Sequence, residues 1–260
     1  MNVERYLERI GAERRAVSPD ALADLQRRHL MTVPFENLDI HWKRPIVLDT
    51  DRFFKKIVEE RRGGFCYELN GLFNELLGEL GYETRLISAR VFNSERGYWP
   101  EFDHAAVIAS FGEEEYLADV GFGHFTAEPL RIVTDVEQED ECGVFIIGHG
   151  EGEYLEVAKR EAAGWKIEYM FKSIPRELTE FREMCDFHQY SPESHFTKGL
   201  VCSLLTEGGR KTLTDSKFLV LQDGVRTEQE VASEEEFASV LKEEFGIRAL
   251  KILPPQERKK

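Results

Sequence analysis

Apolar positions in the first third of the chain follow the spacing of a helix. Ser18 and Pro19 form a helix-start signal, because serine caps free N–H groups and proline fits the first turn. Behind them the apolar side chains recur at helical intervals, as in Ala21, Leu22, Leu25 and Leu30. Residues 49–60 favour a second helix, and Pro34 and Pro45 indicate an irregular segment between the two.

The clearest helical pattern runs over 66–80. Its apolar stripe consists of Leu69, Leu72, Phe73, Leu76, Leu77 and Leu80. Gly63 and Gly64 break the preceding helix and allow a tight turn into this one, and Gly81 is placed to end it. We therefore predict a bundle of helices over residues 1–81.

From Tyr82 onward the pattern changes to that of strands. Short apolar or β-branched runs are separated by glycines or charged turns: TRLISARVF, HAAVIASF, EYLADVGF, CGVFIIG, EYLEVAKR and GWKIEYMF. This spacing is typical of antiparallel sheet, and it predicts a barrel-like β-structure over 82–172. The run GHGEGEY lies between two strand-like segments, so we interpret it as a hairpin loop and not as a phosphate-binding loop.

The last third of the chain mixes both patterns. Asp223 and Gly224 separate two strand-like runs and predict a hairpin with a two-residue turn. Ser233 and Glu236 form a capping box that opens a helix reaching about Phe245. No repeat or low-complexity linker divides the chain, so the fold class predicted is α+β with all segments packed as one body.

Composition narrows the classes of partner. The 260 residues include 34 Lys plus Arg and 49 Asp plus Glu, which gives a net charge of −15. Such a charge disfavours a non-specific nucleic-acid binder or a protein of anionic membrane surfaces. No apolar run approaches the ~20 residues that a membrane span requires, and the first residues do not read as a signal peptide. We expect a cytoplasmic protein without nucleic-acid or membrane partners.

The cysteines and histidines do not form a metal-binding pattern. Cys66, Cys142, Cys185 and Cys202 lie far apart and lack CxxC spacing, so neither a metal site nor a disulfide framework is expected. The simplest interpretation of any one of them is a small buried hydrophobic residue. His188 and His195 have no third ligand nearby, and we interpret them as surface or loop histidines.

Cys66 differs from the other cysteines because it opens a helix. At that position the free N–H groups and the helix dipole favour an anion, and the adjacent arginine would act in the same direction. We therefore expect a lowered pKa for Cys66 and regard it as a candidate nucleophile. A structural cysteine remains the alternative at this point.

His104 and Asp119 supply the other two groups that such a nucleophile needs. His104 begins one strand-like run and Asp119 ends the next, so a hairpin with an even-numbered loop places both on one face. A two-residue loop is expected to set them directly opposite and a four-residue loop diagonally, with Cβ atoms roughly 5 to 8 Å apart. Taken singly, His104 could be a strand-edge histidine and Asp119 a turn cap. Together with Cys66 they indicate acyl transfer through a thioester.

These residues lie in motifs that resemble the arylamine N-acetyltransferase family, prokaryotic type. The matching segments are YLERIG, VPFENLDIH, RGGFCYELN, His104 on its strand, DVGFG and HQYSPESHFTKGLVCSL. The resemblance implies a cysteine-protease-like core in three parts: a helical bundle (1–81) with Cys66, an antiparallel β-barrel (82–190) with His104 and Asp119, and an α/β lid (191–260).

The resemblance also implies an activity. In this family a Cys-His-Asp triad transfers acetyl groups from acetyl-CoA, the co-substrate, to arylamines, arylhydrazines or arylhydroxylamines by a ping-pong mechanism. No metal is implied. Related amide synthases use the same triad with another acyl donor, and a non-enzymatic aromatic-binding protein is a third, weaker alternative.

Further family positions carry over more loosely. Arg9, Glu36 and Arg62 match a charged network beneath the active site, and Glu36 within apolar PFENL needs a cationic partner in any case. Phe122 matches a residue of the substrate pocket, and Gly123 and Phe187 match positions that contact CoA. Because CoA is anionic, we expect backbone donors and local cations in its cleft despite the acidic net charge.

Overall fold

The computed structural model describes residues 1–248 of the chain. Its α-helices are α1 (Val3–Ile10), α2 (Pro19–Thr32), α3 (Leu38–His41), α4 (Thr50–Phe54), α5 (Cys66–Leu80), α6 (Arg182–Tyr190), α7 (His195–Lys198) and α8 (Glu234–Phe245). A 3-10 turn precedes α6 over Leu178–Phe181. In the described part of the chain, no helix has the length and apolar character needed to cross a membrane.

The predicted helix signals are confirmed where they rest on local chemistry. The Ser18 hydroxyl accepts the Ala21 N–H at 3.1 Å at the start of α2, and Gly81 ends α5 with a φ of 95°. The helix predicted over 49–60 begins as expected, but only Thr50–Phe54 is α-helical. Its continuation, Lys55–Glu59, is a π-helical turn, in which the wider winding changes the direction of the side chains.

A large antiparallel sheet follows the helices. Its strands are β2 (Glu83–Asn93), β3 (Gly97–Tyr98), β4 (His104–Phe111), β5 (Glu114–Ala118), β6 (Leu130–Arg131), β7 (Glu137–Asp140), β8 (Gly143–His149), β9 (Leu155–Glu161) and β10 (Gly164–Phe171). The order is β6-β5-β4-β2-β10-β9-β8-β7, with β3 beside β2. The sheet curls into a nearly closed barrel, so the predicted β-architecture is confirmed.

A second sheet contains β1 (Phe35–Glu36), β11 (Val201–Thr206), β12 (Gly209–Thr214), β13 (Lys217–Gln222) and β14 (Val225–Glu230), all antiparallel neighbours in that order. The predicted hairpin is confirmed, since Asp223 and Gly224 have φ values of 50° and 78° in the turn between β13 and β14. β1 pairs with β11, so the N-terminal segment contributes a strand to the C-terminal sheet. The division at 81 and 190 stays a prediction, and residues 249–260 of the expected lid lie outside the described residues.

Strand β4 is buried on both faces, which explains its continuous apolar sequence. Ala105, Val107 and Ala109 pack in the same core as α5, whereas Ala106 and Ile108 pack inside the barrel. Strand β4 therefore packs in both the core of the helices and the core of the barrel. His104 stands at the beginning of this strand, next to the start of α5.

Candidate functional site

Cys66 is the first residue of α5, as the sequence predicted. The Glu68 carboxylate accepts the Phe65 N–H at 2.8 Å and so satisfies one free donor at this helix start. The two glycines before the helix are required for close packing: a Cβ on Gly63 would lie 2.2 Å from the Pro34 carbonyl oxygen. These contacts hold the chain tightly where the thiol begins the helix.

His104 and Asp119 meet through the predicted hairpin. Strands β4 and β5 are joined by a two-residue turn with Phe111 opposite Glu114, and this register puts Asp119 diagonal to His104. The expectation that a two-residue turn would set them directly opposite is wrong, because the turn lies one residue further along the chain than that pairing needs. Both side chains still face one side, and His104 Nε2 lies 2.7 Å from Asp119 Oδ2.

The Asp119 carboxylate is fully buried and fully hydrogen-bonded. Its five donors are His104 Nε2, the Tyr169 hydroxyl, Asn70 Nδ2, and the N–H groups of Gly121 and Phe122. Burial pushes its pKa upward, but the charge and hydrogen bond of His104, with the Asn70 and Gly121 bonds, hold the pKa below its usual value. Asp119 is therefore a permanent acceptor for His104.

Asn70 connects this pair to the cysteine, and sequence reasoning did not assign it a role. It lies one helical turn after Cys66, and its Nδ2 donates to Asp119 Oδ1 at 2.8 Å and to the Ala105 carbonyl at 2.6 Å. Gly121 packs against the same turn, since a Cβ there would be 2.9 Å from Cys66 Cα. The structure thus gathers Cys66, His104 and Asp119 around the start of α5. The sequence signal that could have identified Asn70 was a polar residue four positions after Cys66 on the predicted helix.

The ionisation of Cys66 differs from the expectation. Burial raises the pKa of the thiol well above its usual value, Asp103, Cys185 and Asp119 act in the same direction, and the Tyr67 N–H acts in the opposite direction. Arg62 gives no help, because its guanidinium is bonded to Glu36 and Asp39. The predicted lowering of the pKa is wrong for the resting thiol, since loss of hydration outweighs the helix terminus.

A buried ion cluster lies on the other side of the α5 start. Arg62 binds Glu36 at 2.5 Å and Asp39 at 2.7 Å, and Lys56 binds Glu68 at 2.6 Å and Asp39 at 2.9 Å. Burial lowers the pKa values of Arg62 and Lys56, but the surrounding carboxylates raise them above their usual values. Glu36 has the cationic partner that its sequence context required. Lys56, Asp39 and Glu68 were not predicted members.

Arg9 adjoins the ion cluster through the backbone. Its Nε donates to the Ile57 carbonyl at 3.0 Å and its Nη2 to the Arg62 carbonyl at 3.4 Å. Burial, followed by the charge of Arg61, lowers its pKa to about 10. Arg9 therefore braces the segment that leads to Cys66, and the hydrogen bonds described for it go to carbonyl oxygens.

The predicted pocket residues take separate positions. The Phe122 ring packs edge-on against His104 at 5.2 Å and against Tyr169 at 5.2 Å. A Cβ on Gly123 would have no described atom within 4 Å, so this backbone borders open space. Phe187 lies on α6, and its ring is 5.9 Å from that of Trp99.

His188 is not the surface or loop histidine that the sequence suggested. It lies in α6, is 2% exposed, and its Nε2 is 3.1 Å from Asp103 Oδ1. His195 is the exposed one of the two, with its ring 6.4 Å from that of His188. The error arose because the burial of α6 depends on contacts with residues far away in the sequence.

The sequence and the fold correspond to those of a known class of enzymes. Residues 19–252 match the family model described as N-acetyltransferase. The chain is 34% identical over 239 residues to arylamine N-acetyltransferase of Escherichia coli K12, and the aligned region covers 89% of this chain and 83% of that protein. It is 32% identical to the Gallus gallus pineal gland isozyme NAT-10, over 98% and 97% of the two chains.

Solved structures give the same result. The arylamine N-acetyltransferase of Salmonella typhimurium superposes with a TM-score of 0.90 at 28% identity, over 99% of this chain and 96% of that one. The Mycobacterium marinum enzyme in complex with CoA gives 0.87 at 28% identity, over 95% and 93%. The chain belongs to the arylamine N-acetyltransferase family and is an enzyme.

Proposed function

We propose that this enzyme transfers an acetyl group from acetyl-CoA to the nitrogen of an arylamine, arylhydrazine or arylhydroxylamine through an acetyl thioester on Cys66. The observation that carries the proposal is the buried His104–Asp119 pair, fastened by Asn70 to the turn of α5 that begins with Cys66. Relatives named for arylamine N-acetylation and, in Salmonella, for N-hydroxyarylamine O-acetylation support this substrate class.

The first half-reaction forms the thioester. Asp119 accepts the Nε2–H of His104, which leaves Nδ1 as the basic nitrogen. Nδ1 takes the Cys66 proton, and burial restricts the thiolate to a pair with the resulting imidazolium. The sulfur attacks the acetyl carbonyl, the bond to the CoA sulfur breaks, and CoA leaves as a thiol after receiving the proton from His104.

The second half-reaction releases the product. The amine attacks the carbonyl of acetyl-Cys66, an N–C bond forms, and the bond to the Cys66 sulfur breaks. His104 accepts the proton that the amine nitrogen loses and returns it to Cys66. An arylamine is a weak base and is neutral near pH 7, so its lone pair is free for the attack.

The pocket assignments extend the proposal. Phe122, packed on the His104 ring, would line the space for the acetyl group and the aromatic amine. Gly123 beside open space and Phe187 on α6 would contact CoA, for which the M. marinum relative bound to CoA is the supporting case. The three-part division at 81 and 190 belongs to the same proposal.

A single-turnover experiment tests the proposal. Incubation with acetyl-CoA alone should add one acetyl group to the peptide containing Cys66 and release an equal amount of CoA, followed by intact-protein and peptide mass spectrometry. Adding an arylamine should then discharge the adduct. A parallel series with longer acyl-CoA donors distinguishes an acetyltransferase from an enzyme with another donor.

The matched control is Cys142→Ser, because Cys142 is a half-buried free cysteine outside the triad. This variant should acetylate like the wild type, and Cys66→Ser should not release CoA. Acetylation that persists in Cys66→Ala would contradict the proposal, as would the absence of any adduct on the wild type.

A further inference from the structure

A buried lysine inside the barrel has no acidic partner. Lys159 on β9 is only 8% exposed, and its Nζ lies 5.2 Å from the ring centre of Phe145, its opposite neighbour on β8. No ion pair joins Lys159 to a carboxylate of residues 1–248, and the polar contact described for its Nζ is with His124 Nδ1, at 3.2 Å. A buried cation without a counter-ion is costly, so an anion from outside would bind there favourably.

The acidic groups around Lys159 are bound to other donors. Asp140 and Glu168 influence the pKa of Lys159 without forming an ion pair with it. The Asp140 carboxylate accepts backbone N–H groups instead, and Glu168 binds Lys166 Nζ at 3.0 Å. His124 supplies no negative charge either. Partial burial, followed by the charge of Lys159, lowers the pKa of His124 to about 4, so its ring is neutral near pH 7.

The strand register brings a second cation to the same end of the barrel. Lys166 on β10 is directly opposite Lys159. Opposite residues of neighbouring strands have their side chains on the same face, where like charges repel each other. Glu168 offsets the charge of Lys166, which leaves Lys159 as the member of the pair without an acid.

The register also places Lys159 near the proposed triad. Val157, two residues before Lys159 on β9, is opposite Tyr169. The hydroxyl of Tyr169 donates to Asp119 Oδ2 at 3.1 Å. Because two residues of a strand span ~7 Å, Lys159 lies one inward-facing position beyond the part of the barrel wall that supports the triad.

The loop with the proposed pocket residues connects Lys159 to the space for substrates. The Phe122 ring packs against His104 at 5.2 Å, and His124 follows two residues later. His124 is solvent-accessible, and the backbone of Gly123 between the two borders open space. An anion that enters beside Gly123 can therefore replace the His124 ring as the partner of Lys159.

We propose that Lys159 forms an oxyanion subsite of the active site and binds a negatively charged group of a substrate, either the carboxylate of an acidic arylamine or a phosphate of CoA. The inference rests on the proposed function, which supplies both substrates. Both groups present charged oxygen atoms, and the N–H donors of an ammonium bind either one. An uncharged substrate of similar shape gains nothing from this charge, so the subsite determines specificity.

The test measures KM in Lys159→Met, a variant that keeps an apolar stem and removes the charge. The acceptor arm compares para-aminobenzoate with the uncharged para-aminobenzamide, and the donor arm compares acetyl-CoA with para-nitrophenyl acetate, which has no phosphate. We expect KM to rise about tenfold for a charged compound and to stay constant for its uncharged counterpart, since one charged hydrogen bond contributes about that factor. A rise for para-aminobenzoate assigns the subsite to the acceptor, and a rise for acetyl-CoA assigns it to the phosphates.

Lys172→Met is the matched control, because Lys172 Nζ binds the Glu153 carboxylate at 3.3 Å. This variant should leave all four KM values unchanged, and Lys159→Arg should keep the preference for the charged compound. Equal changes for the charged and uncharged compounds in Lys159→Met would indicate a packing effect and would overturn the inference, as would no change at all. If Lys159→Met does not fold, Lys159→Gln is measured against the same criteria.

The subsite and the proposed function fail in different ways. Normal acetylation of Cys66, with the same ratio of KM values in the wild type and Lys159→Met, would contradict the subsite alone. A missing acetyl adduct on the wild type would contradict the proposed function. Calorimetric titration with para-aminobenzoate, para-aminobenzamide, CoA and pantetheine would then decide the inference by binding: a loss limited to a charged compound in Lys159→Met supports the subsite, and equal or absent binding overturns it.

Discussion

The two buried clusters beside the start of α5 use charge in different ways. In the ion cluster, Lys56 and Arg62 hold three carboxylates, and the ion pairs raise the pKa values of both cations. In the triad, one carboxylate faces an imidazole and neutral donors. The first arrangement retains its protons throughout the physiological pH range, whereas in the proposed mechanism the second passes a proton between His104 and Cys66.

Glu68 belongs to the ion cluster and also caps the start of α5. Its carboxylate accepts the Phe65 N–H and pairs with Lys56, although it lies only two residues after Cys66. Permanent ion pairs thus fix the backbone at the helix start, while the mobile proton is confined to the other side. In the proposed mechanism, the fixed charges therefore position Cys66, and His104 controls its reactivity.

The largest expected effect comes from the proposed Cys66–His104–Asp119 triad. Asp119→Asn should lower kcat about 10³- to 10⁴-fold, because the amide presents a donor to Nε2 and favours the wrong histidine tautomer. Steady-state acetylation of an arylamine measures this loss. The oxygen of the new side-chain amide can still accept the Gly121 and Phe122 N–H groups, so thermal unfolding should change far less than activity. A variant that retains most of its kcat would contradict the role of Asp119.

The next largest effect is expected in the buried ion cluster. Arg62→Met should lower the free energy of unfolding by about 3–5 kcal/mol, because Glu36 and Asp39 remain buried with a partner removed. Urea titration measures the change. Arg5→Met is the control, since Arg5 forms an exposed pair with Glu59 at 2.6 Å and its loss should cost under about 1 kcal/mol. Equal losses in the two variants would contradict the distinction between buried and exposed pairs.

The third effect concerns the pKa of His29, a buried histidine that contacts no carboxylate in the described part of the chain. His29 lies between Tyr6 and Phe73, its ring nitrogens have no hydrogen-bond partner within residues 1–248, and burial lowers its pKa to about 3. Because the unfolded chain binds a proton below about pH 6.5 and the folded chain does not, its contribution to stability is complete above that pH. It is lost progressively as the pH falls towards 3, by about 3 kcal/mol at pH 4.

His29→Phe should remove this part of the acid sensitivity while filling the same apolar site. Urea unfolding of the wild type and the variant at a series of pH values between 4 and 8 provides the measurement, with the pH range chosen to cross about 6.5. Parallel curves for the two proteins would show that His29 is protonated in the folded state.

The smallest effect distinguishes donors within the triad. Tyr169→Phe removes one of the five hydrogen bonds to Asp119, at 3.1 Å, and leaves the bond to His104 intact. We expect a loss of about tenfold in kcat, since one hydrogen bond to a charged group contributes about 1.5 kcal/mol. Steady-state kinetics beside Asp119→Asn gives the comparison. A loss as large as that of Asp119→Asn would mean that Tyr169 does more than support the carboxylate.

Local patterns predicted the elements that carry the site. The start of α5 at Cys66, its end at Gly81 and the strand from His104 all follow from short-range spacing and turn chemistry. The face shared by His104 and Asp119 followed from strand alternation, but the diagonal register needed the turn position, which differs by one residue. The π turn after α4, which contains the buried Lys56, was missed because no local signal marks it.

The sequence by itself determined most of the element types, the acidic character and the candidate Cys, His and Asp groups, since each depends on neighbours or on a short motif. Only the tertiary structure decided that Asn70 bridges to Asp119, that Lys56 joins Glu36 and Asp39, and that His188 reaches Asp103 across 85 positions of chain. It also decided that burial raises the pKa of the Cys66 thiol. The physical reason is that hydration and long-range partners depend on how the elements pack, and a one-dimensional pattern contains only the tendency of each element to form.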